Sequence, residues 1–140
     1  MPTAAVRELL AELGYPTDGD LDGRLRRWID PPERRLLLAV ETTDVLGLLA
    51  LAMTRRLESD RWWAQVVALV VASSAREQGV GTALVQHAEA LSAEVGCDAV
   101  MINSSRARPD AHAFYTRLGY HDRCQDHAQF IRPPHEREVR

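Results

Sequence analysis

The chain has 140 residues, 46% hydrophobic and 26% charged, with a net charge of -3. That is one ordinary domain with enough sequence to bury a core. It lacks the basic surface nucleic-acid binding needs, and no apolar run is long enough to span a membrane.

In chain order, Thr3 stands where it would cap a first helix, with Val6, Leu9, Leu10 and Leu13 on one face. Gly14 and Pro16 stop it. A second short helix is expected from about Asp20, with Leu21, Leu25, Trp28 and Ile29 on one face, and Pro31-Pro32 ends it. Leu36 to Glu41 reads as a strand apolar enough for burial on both faces, joined through Thr42-Thr43-Asp44 to a second strand, Val45 to Thr54. Trp62 to Ala72 is a third strand. Between it and a helix from Val80 to Val95 lies Arg76-Glu77-Gln78-Gly79-Val80-Gly81-Thr82. Gly79 and Gly81 are expected in a tight turn there, because glycine lets main-chain N–H groups approach a ligand closely. Those groups lie at a helix N-terminus and can line a nest for an anion, which points to a phosphate or pyrophosphate ligand.

The helix after the turn is expected to bury Leu84, Val85, Ala88, Leu91 and Val95. Asp98 to Ser104 is a further strand. Pro109 opens another helix, with Ala111, Phe114, Tyr115 and Leu118 on one face and Gly119 at its end. Gln129 to Ile131 belongs to a last strand, and residues 132–140 form a loose tail. The order implies an α+β fold, an α/β sandwich around a mixed, mostly antiparallel sheet flanked by helices, with 1–140 as a single domain. Cys97 and Cys124 are too few for a disulfide framework and lack metal-ligand spacing, so no metal is expected. The start carries no leader pattern, so a cytoplasmic setting is expected.

Arg76, Gly79 and Gly81 resemble the central signature of the GCN5-related N-acetyltransferase (GNAT) superfamily: Arg or Gln, two residues, Gly, one residue, Gly or Ala. Leu69-Val70-Val71 is similar to the apolar strand that leads into it. The stretch from Ala111 through Phe114-Tyr115 to Gly119-Tyr120 resembles the second signature. Leu13-Gly14-Tyr15-Pro16 is similar to a segment of many small bacterial members. The resemblance covers most of the chain and is strongest from Val66 to Tyr120.

The resemblance implies a transferase that moves acetyl from acetyl-CoA to a primary amine of a small molecule or peptide by direct attack. It implies that main-chain groups of Leu69, Val70 and Val71 meet the pantetheine amides. The N–H groups of Gln78 to Thr82 (Gln78, Gly79, Val80, Gly81, Thr82), beside Glu77, would hold the pyrophosphate, with Arg76 adding a charge-assisted contact. Two strands are expected to splay near Val70 and Ile102 to admit the cofactor arm. Tyr115 matches the family's general acid, whose hydroxyl protonates the departing thiolate; the alternative is a packed aromatic with its hydroxyl satisfied. Arg108, Ala111 and Phe114 fall on the cofactor side of the second signature. The oxyanion donor is expected to be a strand N–H near Val70.

Departures accompany the match. The family normally begins with a strand, whereas this chain starts almost directly in a helix, so one sheet edge is either missing or supplied by another chain, as in a homodimer. Arg108 stands where Asn is common, and Gln65 and Val67 where strand glutamates are often found. No base is evident: Glu41, Glu58, Asp60, His112 and His121 are the weak candidates. Trp62 and Asn103 are the substrate-side candidates; core packing or a dimer contact is the favoured reading of Trp62, and strand termination is the alternative for Asn103. A non-catalytic acyl-CoA-binding module is the alternative function.

Overall fold

A computed structural model describes residues 1–103, 109–123 and 127–134. It divides into two compact units, Met1–Asn103 and Ser104–Arg140.

The first unit opens with α1 (Thr3–Leu13) and α2 (Leu21–Ile29). Thr3 is the first residue of α1 rather than its cap. Pro2 holds the cap position, and the Thr3 hydroxyl donates to Asp22 Oδ1 of α2 at 3.0 Å. Gly14 closes α1 in the left-handed region at φ 103°, as the sequence implied. The Asp20 carboxylate caps α2 by accepting from the Gly23 amide at 2.9 Å.

Four strands follow: β1 (Arg34–Glu41), β2 (Asp44–Arg55), β3 (Trp62–Val71) and β4 (Cys97–Ile102). They form one sheet in the order β1-β2-β3-β4. The first three run antiparallel, and β4 lies parallel to β3. That arrangement bears out the mixed, mostly antiparallel sheet. The parallel pair requires a crossover, which α3 (Val80–Val95) supplies.

The sheet is covered on both faces. On one, Val6, Leu9, Leu21 and Leu25 of α1 and α2 pack with Leu48 and Val70. Strand alternation turns Gly47, Leu49 and Leu51 to the other face. There Leu84, Val85 and Ala88 of α3 are buried. Gly47 lets α3 sit close: an added Cβ would lie 3.0 Å from Val80 Cγ1 and 3.1 Å from Leu84 Cδ1.

Three packing expectations change. The strand over Leu36 to Glu41 is an edge strand, half-buried rather than enclosed. On α3, Ser92 is buried with its hydroxyl on Ala88 O at 2.8 Å, whereas Leu91 is half-buried and Val95 exposed. The hydroxyl finds its acceptor one turn back, so burying it leaves nothing unsatisfied.

The second unit contains α4 (Pro109–Arg117). Gly119, at φ 93°, ends the segment, and the Tyr120 amide returns to Tyr115 O at 3.0 Å. The expected last strand does not form: residues 127–134 carry no strand, and Phe130 and Ile131 are 93% and 90% exposed. Two apolar residues followed by Arg132-Pro133-Pro134 are too short a run, and proline lacks the ladder's donor. No helix among the described residues is long and apolar enough to cross a membrane.

Candidate active site

The site grows from the end of β3. β2 follows β3 to its last residue, pairing Gly47 with Val71. On the other side, β4 stays with β3 only to Val66↔Ile102. Among residues 1–103, Val67 to Val71 therefore have no strand partner on that side. The divergence begins at Val66, four residues earlier than the expected point near Val70.

A β-bulge marks the same place. The β2–β3 register runs Ala50↔Ala68 and then Leu51↔Val66, so Val67 is the extra residue. Which main-chain groups face the open side follows from the hydrogen-bond alternation. Ala72 donates its N–H to Leu46 O at 2.8 Å. Antiparallel pairing alternates every residue, so Val70 and Ala68 also point their N–H and C=O groups at β2, and Leu69 and Val71 point theirs away. This corrects the expectation for Val70. Its main chain is engaged with β2, and its side chain is buried with α1 and α2.

After β3 the chain makes one 3-10 turn, Ser73–Ala75, then Arg76 in extended conformation at φ -67° and ψ 150°. Glu77 has φ 65° and Gly79 φ 80°, with Gln78 on the negative side between them. Alternating handedness of this kind makes successive N–H groups converge into an anion nest. Gly79 is the N-cap of α3, without a capping side chain and with no acidic residue in the first turn. The first bond inside the helix is Ala83 N–H to Gly79 O at 3.0 Å. The amides of Val80, Gly81 and Thr82 come before it, at the positive end of the helix dipole. Gly81 is thus the second residue of α3 rather than part of the turn. Arg76, Glu77, Gln78 and Gly79 are exposed, while Val80, Gly81 and Thr82 are half-buried.

Sequence reasoning missed two residues that position this turn. The Glu12 carboxylate of α1 accepts from the Ser73 amide at 3.2 Å and from its hydroxyl at 3.3 Å, fixing the entry to the turn. Gly47 sets the depth of α3. Both act across long sequence separations that no local pattern records, although an isolated glycine inside an apolar strand is a recognised sign of close approach.

The remaining candidates divide by place. Trp62 begins β3, at the end away from the glycine turn, with the Arg55 guanidinium 4.7 Å from its ring centre. Glu58 and Asp60 lie in the β2–β3 connection at that same end, and Glu58 pairs with Arg56 at 3.2 Å. Cys97 is half-buried; burial, then the charge of Asp98, raises its thiol pKa, so it is no ready nucleophile. Asn103 is exposed just beyond β4. On α4, Ala111, Phe114 and Tyr115 are half-buried. The Tyr115 ring meets Phe114 edge-on at 5.4 Å and Tyr120 at 6.3 Å. Arg108 and Cys124 lie outside the described residues.

Comparison with known proteins places this geometry in a family. Residues 3–120 match the model of the acetyltransferase (GNAT) family. The chain is 32% identical over 130 residues to the aminoalkylphosphonate N-acetyltransferase of Salmonella typhimurium, covering 92% of this chain and 80% of that protein. A GNAT family acetyltransferase of Staphylococcus aureus superposes with TM-score 0.78 at 25% identity, covering 94% of this chain and 88% of the other. An aminoglycoside acetyltransferase from an uncultured soil metagenomic sample shares the fold at TM-score 0.77 and 14% identity, over 96% and 88% of the two chains.

Proposed function

Because this chain belongs to the acetyltransferase (GNAT) family, we propose that it takes an acetyl group from acetyl-CoA and delivers it to the primary amine of a small molecule by direct attack. The chain is an acyltransferase that acetylates an amine. The observation that carries the choice of donor is the continuity between the unpaired stretch of β3 and the uncapped start of α3. An open strand edge suits a ligand with amides, and a helix N-terminus suits one with phosphates. Coenzyme A has both, in that order along its length.

In this reading the amides of Gln78, Gly79, Val80, Gly81 and Thr82 hold the pyrophosphate, and Arg76 adds a charged contact. Leu69 and Val71 pair through their main chains with the pantetheine amides. The N–H that receives the developing negative charge belongs to Leu69, whose main chain faces the open side. Tyr115 donates its proton to the departing sulfur. A phenol with a pKa near 10 stays protonated at neutral pH, and a thiol near 8.5 is the easier group to leave (both values approximate). Arg108, Ala111 and Phe114 belong to the cofactor-binding set in the same reading, on the strength of the second signature. Positioning supplies much of the rate, and water carries away the amine proton. The chain acts as a single acetyltransferase domain with about 132–140 as a tail, a reading supported by the family match over residues 3–120. A cytoplasmic setting suits the donor and the free thiol of Cys97.

An aminoalkylphosphonate is the first acceptor to try, on the strength of the Salmonella relative. Release of coenzyme A thiol is measured across aminoalkylphosphonates, aminoglycosides, polyamines and amino acids. Turnover with none of them overturns the proposed acceptor class. Calorimetry with Gly81→Val tests the cofactor site separately: a branched side chain in the first turn of α3 is expected to weaken coenzyme A binding at least tenfold. Unchanged affinity rejects that placement.

A further inference from the structure

Val67 belongs to neither packed face of the sheet. In a regular strand, residues two apart share a face. Here Val66, opposite Leu51, is buried on the α3 side, whereas Ala68 packs with α1 and α2 on the other. The extra residue of the bulge absorbs that reversal, and its side chain is 52% exposed against 3% for Val66. Its position along β3 is equally particular. β3 and β4 are last paired at Val66↔Ile102, so Val67 is the first residue past the point where the two strands part. The apex of the gap carries three β-branched residues, Val66, Val67 and Ile102, whose side chains are restricted about χ1. Of these, only Val67 is exposed.

We propose that Val67 sets the length of the acyl group this site accepts, closing the gap to chains longer than acetyl. The inference rests on the cofactor placement given above and adds to it the limit at the acyl end. A pyrophosphate at the start of α3, with pantetheine amides beside Val71 and then Leu69, runs the ligand down the open edge toward Val66. A thioester held at the Leu69 N–H is then two residues from Val67, about 6.5 Å of strand. An acetyl methyl fits in that length. Each further methylene brings the chain closer to a branched side chain that has no packed face to withdraw into. Straight ahead, the pairing of Val66 with Ile102 closes the ladder, and widening it would break main-chain bonds. A valine has neither charge nor hydrogen bond to offer the amine, so what it contributes here is shape.

Calorimetry with coenzyme A, acetyl-CoA, propionyl-CoA and butyryl-CoA tests it without an acceptor, with circular dichroism to verify folding. For each protein the Kd of every acyl-CoA is taken relative to that of coenzyme A. The wild type is expected to bind butyryl-CoA at least about tenfold more weakly than acetyl-CoA, the lower end of what one misfitting methylene does in an apolar site. Propionyl-CoA falls between them. Val67→Ala removes the branch and is expected to shrink that difference to about threefold or less. Val67→Thr keeps the branch and is expected to keep the wild-type discrimination. Equal binding of acetyl-CoA and butyryl-CoA by the wild type overturns the proposal. So does an unchanged ratio in Val67→Ala, or a Val67→Thr that behaves like the alanine variant. In each of those cases coenzyme A still binds and the cofactor placement stands. A wild type that binds no coenzyme A refutes that placement and this inference together.

Discussion

Replacing Gly47 with alanine tests whether the sheet sets the position of the anion-binding turn. The new Cβ would stand 3.0 Å from Val80 Cγ1, 3.1 Å from Leu84 Cδ1 and 3.1 Å from Val70 O. The first two belong to the beginning of α3 and the third to the backbone of β3, which has little room to give. Overpacking of this kind costs about 1–3 kcal/mol. Restricting the unfolded chain returns roughly 0.4–1 kcal/mol. The net loss is about 1–2 kcal/mol, which for a chain of this size lowers Tm by roughly 3–8 °C. The easier relief is outward movement of α3 by a few tenths of an ångström, which carries the amides of Val80 to Thr82 with it. Coenzyme A affinity should fall along with stability. Thermal unfolding by circular dichroism and calorimetric titration with coenzyme A measure the two effects. Wild-type Tm together with wild-type affinity would refute the idea that α3 is seated on Gly47.

Gly79→Ala separates backbone strain from crowding. A Cβ there meets nothing within 4 Å, but φ is 80°, so a loss of about 1–2 kcal/mol is expected from the left-handed conformation alone; a variant as stable as the wild type in urea contradicts it. Tyr115→Phe is expected to lower kcat about a hundredfold or more while coenzyme A affinity holds, as for loss of a general acid. Steady-state kinetics that show kcat within a fewfold of wild type leave the packed-aromatic role instead. Asp22 receives Arg26 at 2.7 Å and the Thr3 hydroxyl at 3.0 Å. The Arg26 hydrogen bond, then that of Thr3, holds its carboxyl below the ordinary range. Its stabilising effect is therefore complete above the ordinary carboxylate pKa and disappears as pH falls through the lower folded value. Urea titrations should show Asp22→Asn less stable than wild type at neutral pH and converging with it in acid. A difference that stays constant with pH contradicts the linkage.

What the sequence disclosed and what it concealed divide by the range of the forces involved. Gly14, Gly79 and Gly119 were legible as punctuation because a left-handed backbone is recorded in the residue that adopts it. The apolar runs gave the four strands within a few residues, since burial of alternate side chains is also a local pattern. Register is different. Whether Val70 offers its main chain to a ligand or to β2 depends on one bulge at Val67 and one bond from Ala72 to Leu46. A single-residue slip reverses the answer without changing any propensity. Glu77 shows the reverse case: a non-glycine residue at φ 65° gives no sign of its conformation in its own identity.

The same division explains the one element that failed. Phe130 and Ile131 have the residue types of a strand, but a strand is stable only when a neighbour supplies its hydrogen bonds and its apolar cover. Local composition states a preference and the ladder decides. By that reasoning β1 and residues 127–134 pose opposite problems. β1 is a well-formed strand with one edge that no strand among the described residues meets, and its termini bear opposite charges. The segment around Phe130 has apolar side chains with no ladder and is followed by two prolines that cannot donate. An incoming antiparallel strand can complete the first through main-chain bonds alone. It cannot complete the second past Arg132.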